Sequence, residues 1–316
     1  LSDKGFEKAI FGKLAVGSWF DGAVDLVGRG KGRVPDVVVH SGRLDLRKAR
    51  VGGASGAGGG GGGSPAKGGG NRIEARLDRL TVSGGIALAP FAGQFTTRGG
   101  FSGDFRGKVN GGPEVTGAVV PAKNGRAAVR INGRDAGAGL AAAGVFSKAR
   151  GGTLDLTLMP VETKSYDGRL AISNLRVQDA PVLASMLSAA SVIGLLEQLN
   201  GDGLLFSDVA GRFHLSPQGV SVTSGQAVGA SMGVTMSGNY YPDSKAIDMQ
   251  GVVTPFYLVN AIGQIFARKG EGLFGFNYRM RGSSEAPRIT INPLSIFTPG
   301  MFREIFRRAP PKLVTE

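Results

Sequence analysis

Gly272-Leu-Phe-Gly-Phe-Asn-Tyr-Arg-Met-Arg-Gly282, followed by Pro287-Arg-Ile-Thr-Ile-Asn-Pro-Leu-Ser-Ile-Phe-Thr-Pro-Gly-Met-Phe-Arg-Glu-Ile-Phe306, is the stretch that decides the fold. Phe274, Phe276, Tyr278 and Met280 alternate with Gly275, Asn277, Arg279 and Arg281. Successive side chains of a strand point to opposite faces, so the alternation predicts a strand with one large apolar face and one polar face. Ile289 and Ile291 repeat the pattern in the next strand. Asn292-Pro293 and Pro299-Gly300 then halt strand growth. Pro299 suits the first turn of a short closing helix, where the N–H it lacks would have no intrahelical acceptor.

The same alternation recurs upstream. It is carried by Leu154, Leu156 and Leu158, by Leu170 and Ile172, and by Val209, Phe213 and Leu215. Val228, Met232, Val234 and Met236 follow, then Ile247, Met249 and Val253. Turn signals such as Gly151-Gly152, Asp167-Gly168 and Pro217-Gln-Gly219 separate many of these runs. Connections that short join antiparallel neighbours. The expectation is a mainly β protein with a few helices, built as one long antiparallel meander.

Residues 1–51 are also strand-like, with Ala23-Val-Asp-Leu-Val-Gly28 and Arg43-Leu-Asp-Leu-Arg47 alternating at period two. They are expected to end an upstream β segment. Residues 52–70 hold twelve Gly in nineteen positions, a composition with no side chains to pack, and are expected to form a flexible loop. No Gly-Lys-Ser/Thr follows, which excludes a phosphate-binding P-loop. Residues 71–316 form the main β domain. In Arg72-Ile-Glu-Ala-Arg-Leu77 the apolar set is Ile73, Ala75 and Leu77; Leu80 and Val82 then fall out of phase, which predicts a bulge or bend near Asp78.

Four helices interrupt this domain. Asp135 is placed to cap Ala136 to Lys148, and Asp179 to cap Pro181 to Leu199 with Gly201 just past its end. Pro255 to Lys269 and Pro299 to Arg308 complete the set. The longest charge-free run, Ala180 to Leu196, has seventeen residues, short of the roughly 20 that a membrane span needs. It reads as a buried helix. No fixed repeat period appears.

Composition sets limits on function. The formal charge is +13, from 37 basic and 24 acidic residues. The basic residues are scattered, without the aromatic interleaving of a single-strand binder, so nucleic acid is not an expected partner. There is no Cys, hence no thiol chemistry. His40 and His214 each sit alone inside an alternating strand, without a second ligand at metal-binding spacing. Asp155, Asp208, Asp248 and Glu285 fall on polar faces or in turns. No catalytic residue, metal or cofactor is indicated, and the chain is not read as an enzyme.

What remains is apolar surface. Met232, Met236, Met249 and Met280 either fill a closed core or line a sheet that curls without closing. A groove of the second kind binds acyl chains by burial, at roughly 25 cal/mol per Å2 of apolar area. Methionine suits it because its side chain adapts to varied chains.

The order strand, Gly282, short loop, Pro287-x-Ile-x-Ile-Asn-Pro-Leu-Ser295, then Thr298-Pro-Gly-x-x-Arg303, resembles the C-terminal region of AsmA-like proteins, in particular the large periplasmic YhdP-type branch. Asp179-Ala-Pro-Val-Leu-Ala-Ser-Met-Leu187 with Gly203-Leu-Leu-Phe-Ser-Asp-Val209, and Thr254-Pro-Phe-Tyr-Leu-Val-Asn260, extend the likeness over about residues 127–316, and more loosely over residues 1–51. The Gly-rich stretch departs from it. The resemblance extends to chorein-related bridge proteins, and it implies a curved, open, apolar groove that passively carries phospholipid between inner and outer membrane. The partners it implies are phospholipid acyl chains and a membrane surface. It implies a periplasmic location, and because the chain begins Leu-Ser-Asp, an inner-membrane anchor is expected upstream. The groove candidates are Leu154, Leu156, Leu158, Phe213, Leu215, Met232, Val234, Met236, Phe274, Phe276, Tyr278 and Met280. Met301, Phe302, Ile305 and Phe306 gather on one helical face and are the membrane-facing candidates. The alternative is a scaffold or outer-membrane assembly factor that offers a sheet edge to a β-rich envelope protein.

Overall fold

The computed structural model describes residues 6–49, 69–162, 164–189, 193–255, 275–284 and 286–292. Two compact units divide the chain: Leu1–Arg134 with Ala138–Ser147, and Asp135–Gly137 with Lys148–Glu316. Eighteen strands and three short α-helices are present among the described residues, so the protein is mainly β, as the alternation requires.

The strands of the first unit are β1 (Lys8–Val16), β2 (Phe20–Val27), β3 (Asp36–Asp45), β4 (Arg72–Leu77), β5 (Arg79–Thr81), β6 (Ala87–Thr96), β7 (Ser102–Val109), β8 (Glu114–Pro121) and β9 (Ala127–Gly133). Sequential neighbours pair antiparallel except that β3 pairs parallel with β4 (Val37 opposite Ile73) and with β5 (Leu44 opposite Leu80), and that β4 and β5 both pair antiparallel with β6. The sheet is therefore mixed where an antiparallel meander was expected. The reason is topological. A tight turn only reverses a chain, whereas residues 46–71 are long enough to return to the start of β3 before β4 begins.

The expected bend at Asp78 is present and separates β4 from β5. Asp78 brackets Gly42: its N–H donates to the Gly42 carbonyl (2.8 Å) and its Oδ2 accepts from the Gly42 N–H (3.1 Å). Leu80 is buried, but Val82 is not on the inner face, being 45% exposed. Strand β5 stops at Thr81, and the Val82 and Ser83 N–H groups turn onto the Ile86 carbonyl.

Pairing registers bring Phe20, Val24, Leu77, Leu80, Leu88, Phe91, Val109 and Val115 into one buried cluster running from β2 to β8. Aromatic rings complete it, with Phe91 stacked on Phe95 at 6.4 Å and tilted against Phe105 at 5.7 Å. Phe105 covers Gly117 on the adjacent strand, whose missing side chain leaves the ring its space. Helix α1 (Ala136–Ala142) is half the length expected. It ends before Gly144, which takes a left-handed φ of 69°, and Ala149–Arg150 has already become a strand.

The second unit contains that strand, β10 (Ala149–Arg150), then β11 (Thr153–Glu162), β12 (Ser165–Val177), β13 (Leu204–Ser216), β14 (Gly219–Gly229), β15 (Met232–Tyr241), β16 (Ala246–Pro255), β17 (Phe276–Ser283) and β18 (Pro287–Asn292). From β11 to β18 every strand pairs antiparallel with the next in sequence. Helices α2 (Pro181–Ala189) and α3 (Ile193–Asn200) lie between β12 and β13.

One helix from Pro181 to Leu199 was expected there. A single helix of that length would part its ends by about 27 Å. Instead the Asp179 N–H donates to the Leu199 carbonyl at 3.2 Å, and Gln178 Nε2 donates to the Gly201 carbonyl at 2.6 Å. The segment leaves β12 and comes back beside it, which lets Val177 pair with Leu204. Pro255, expected to start a helix, ends β16 opposite Met232. The rest of that helix, the closing helix Pro299–Arg308, and the Gly-rich stretch apart from Gly69 and Gly70 lie outside the described residues.

Candidate functional site

Cross-strand partners in an antiparallel sheet share a face, so the pairing registers map the faces of the second unit directly. Leu154, Ile172, Val209, Ala227, Val234, Val253 and Phe276 stand opposite one another in one row from β11 to β17. Leu158, Gly168, Phe213, Val222, Gly238, Met249, Met280 and Ile289 form a second row that reaches β18. Leu156, Leu170, Gly211, Gly225 and Met236 lie between them on the same face. Leu215 adds a further row with Val220, Tyr240 and Ile247. The result is a continuous apolar face about 29 Å wide from β11 to β17, taking the usual strand spacing.

Eleven of the twelve sequence-derived groove residues fall on this one face; Phe274 lies outside the described residues, as do Met301, Phe302, Ile305 and Phe306. Leu154, Leu156, Leu158, Phe213, Leu215, Val234, Met236 and Met280 are half-buried. Met232, Phe276 and Tyr278 are buried, at 1%, 6% and 5% exposure. Tyr278 reaches over Gly251 on β16, and its hydroxyl donates to the Thr235 carbonyl on β15 at 2.8 Å. It acts as a strut across three strands. The Phe213 ring lies over its cross-strand partner Gly168.

No second described sheet of this unit is stacked on the face. The main contacts between its elements run along the strand order, apart from β10 meeting β12, α2 meeting α3 and β18, and α3 meeting β13. Burial is greatest at the helix-bearing rim, where Leu187, Leu199, Leu204 and Met232 are at most 1% exposed. Away from it, Leu158, Phe213, Val222 and Met280 keep partial access to solvent.

Val220, Val222 and Ala227 belong to the face but escaped the alternation rule. A bulge at Thr223 and Ser224 shifts the phase of β14 midway. Only the Val at positions 220 and 222 hinted at the strand. Unit 1 has its own apolar face through Phe91, Phe95 and Phe105, for which the Phe-x-Gly-x-Phe spacing around Gly93 was the available signal.

The opposite face of the second unit is polar. Asp167 and His214 are cross-strand partners 2.9 Å apart. Asp248 meets Arg279 at 3.0 Å and Arg281 at 3.3 Å. Burial raises the Asp248 pKa, but the hydrogen bonds from the two guanidinium groups outweigh it and hold the carboxyl below its ordinary range. In the first unit Asp25 is held low by Lys8 at 2.9 Å and by His40 at 3.0 Å. Both histidines are thus partnered by carboxylates. No group of three or more His, Cys, Asp or Glu among the described residues is arranged to hold a metal. No described helix is long and apolar enough to cross a membrane.

Fold and face together define a β-meander protein with a wide, partly solvent-accessible apolar sheet face. Comparison with protein-family models, with curated proteins and with solved structures finds no match to this chain.

Proposed function

We propose that the chain is a segment of a bridge-like lipid-transfer protein of AsmA-like type, working in the periplasm and carrying phospholipid passively between the inner and outer membranes. The observation that supports this is the apolar face of the second unit, which is continuous across seven strands, mostly half-buried from β11 to β15 and more buried on β16 and β17, and without a second described sheet over it. Leu154, Leu156, Leu158, Phe213, Leu215, Val234, Met236 and Met280 form the contact surface for acyl chains. Each methylene moved from water onto such a surface gains roughly 0.8 kcal/mol, without directional bonds that would fix it in place. One leaflet's acyl chain, about 15 Å long, fits within the 29 Å width and can move from strand to strand. Met236 and Met280 accommodate chains of different shape. The charged head group stays in water.

Mass spectrometry of lipids that co-purify with the chain tests the proposal. The expected result is phospholipid in the wild-type protein and a several-fold lower load in Val234→Asp, whose carboxylate would stand in the middle of the face. Val234 is half-buried, so circular dichroism should show the strands retained. A lipid-free wild-type protein, or an equal load in a folded Val234→Asp, would overturn it.

A further inference from the structure

The polar face of the second unit carries a hollow of about 500 Å3 that spans β11 to β16. Arg169 on β12 and Arg212 on β13 line it, and they are direct cross-strand partners. Like charges placed opposite each other destabilise a sheet. The usual remedy is a carboxylate nearby, but among the described residues neither guanidinium meets a hydrogen-bond or ion-pair partner. Asp155, the one carboxylate among the described lining residues, is engaged in an interaction of its own. Thr157, Ser224 and Gln226 line the same hollow and add hydroxyl and amide donors.

We propose that this hollow binds a phosphate group, held between Arg169 and Arg212. The two arginines and the polar lining side chains are on the face opposite the acyl-chain surface, although Leu170 and Met236 of that surface also border the hollow, so phosphate binding is read separately from lipid load. The donor count favours phosphate over carboxylate. One planar guanidinium fork satisfies both oxygens of a carboxylate. Two forks with flanking hydroxyl groups match the three or four oxygens of a phosphate ester. The bound anion also removes the repulsion between the two arginines. The volume lies within the range of small-ligand sites and admits the glycerol or sugar that carries the phosphate.

Titration calorimetry with glycerol 3-phosphate on the whole chain tests the site. Arg169→Gln and Arg212→Gln should each weaken binding by about tenfold or more, the loss typical of a charge-assisted hydrogen-bonding group. The double Lys variant keeps both charges without the forks and should bind at an intermediate level. Arg288→Gln, on the same face but outside the hollow, should change nothing, and acetate should bind much more weakly than glycerol 3-phosphate. Co-sedimentation with phosphatidylglycerol vesicles separates two sources of the phosphate. A parallel loss in the double Gln variant assigns a lipid head group; unchanged sedimentation assigns a soluble phosphate ester. Removing the like-charge pair should leave the melting temperature equal or higher, which excludes misfolding as the cause. No binding of glycerol 3-phosphate, or equal affinity in wild type and the double Gln variant, would overturn the proposal.

Discussion

Asp248 shows how single residues on the polar face set the acid stability of this protein. Its carboxyl is held below the ordinary range by Arg279 and Arg281 despite partial burial, and Asp45 is held down to about 2, chiefly by its hydrogen bond from Arg47. A carboxyl with a depressed folded-state pKa adds stability above its unfolded pKa of about 3.9 and loses it as pH falls through the folded value. The urea midpoint should therefore stay level from about pH 7 to pH 5 and fall between about pH 4 and pH 2. Asp248→Asn should start lower at pH 7, because Arg279 and Arg281 lose their partner, and fall less steeply below pH 4. Parallel acid slopes for the two proteins would contradict this assignment. At Gly251 the limit is steric. A Cβ there would overlap the Thr235 carbonyl and crowd the Tyr278 hydroxyl. Gly251→Ala should lower the unfolding free energy by about 1–3 kcal/mol in urea titration. Gly12→Ala, on β1 with no atom in the way of a Cβ, should change it by less than about 0.5 kcal/mol.

At the level of elements, the parallel pairing of β3 with β4 and β5 places a length requirement on residues 46–71. The chain must travel back along β3, about 30 Å at the usual strand rise. Replacing residues 54–69 with four Gly-Ser residues leaves enough chain to span that distance, at up to about 3.3 Å per residue. The melting temperature should stay within about 2 °C. Deleting 48–70 outright should break the β3–β4 pairing, seen as a large loss of β signal and a lower melting temperature. Equal stability of both deletions would show that the parallel pairing does not hold. Period-two alternation made β11, β13, β15 and β17 legible, because one face of each is apolar over most of its length. The parallel pairing was not legible, since alternation is the same in parallel and antiparallel strands. The hairpin of α2 and α3 was hidden because Pro181 to Leu199 carries no internal breaker stronger than Gly194. The hydrogen bonds from Asp179 to Leu199 and from Gln178 to Gly201 reveal the reversal.

For the whole molecule, both units carry an apolar sheet face built by the same alternation. Phe20, Leu77, Leu88 and Phe91 of the first unit are each at most 8% exposed, while Phe95 and Phe105 beside them are half-buried. Leu156, Phe213, Val234 and Met280 of the second unit retain partial exposure on a face of comparable chemistry. Sequence patterns give the identity of a face but not what covers it, because covering depends on sheet curvature and on contacts distant in the chain. The continuous face of the second unit is the one proposed above for acyl-chain contact. Site-specific photo-crosslinking in cells tests this most directly. Photoreactive residues at Leu156, Phe213, Val234 and Met280 should capture phospholipid, while those at Ser173, Ser221 and Thr290, on the opposite face and outside the Arg169–Arg212 hollow, should not. Equal labelling of both faces, or none on either, would contradict the assignment of the apolar face to lipid.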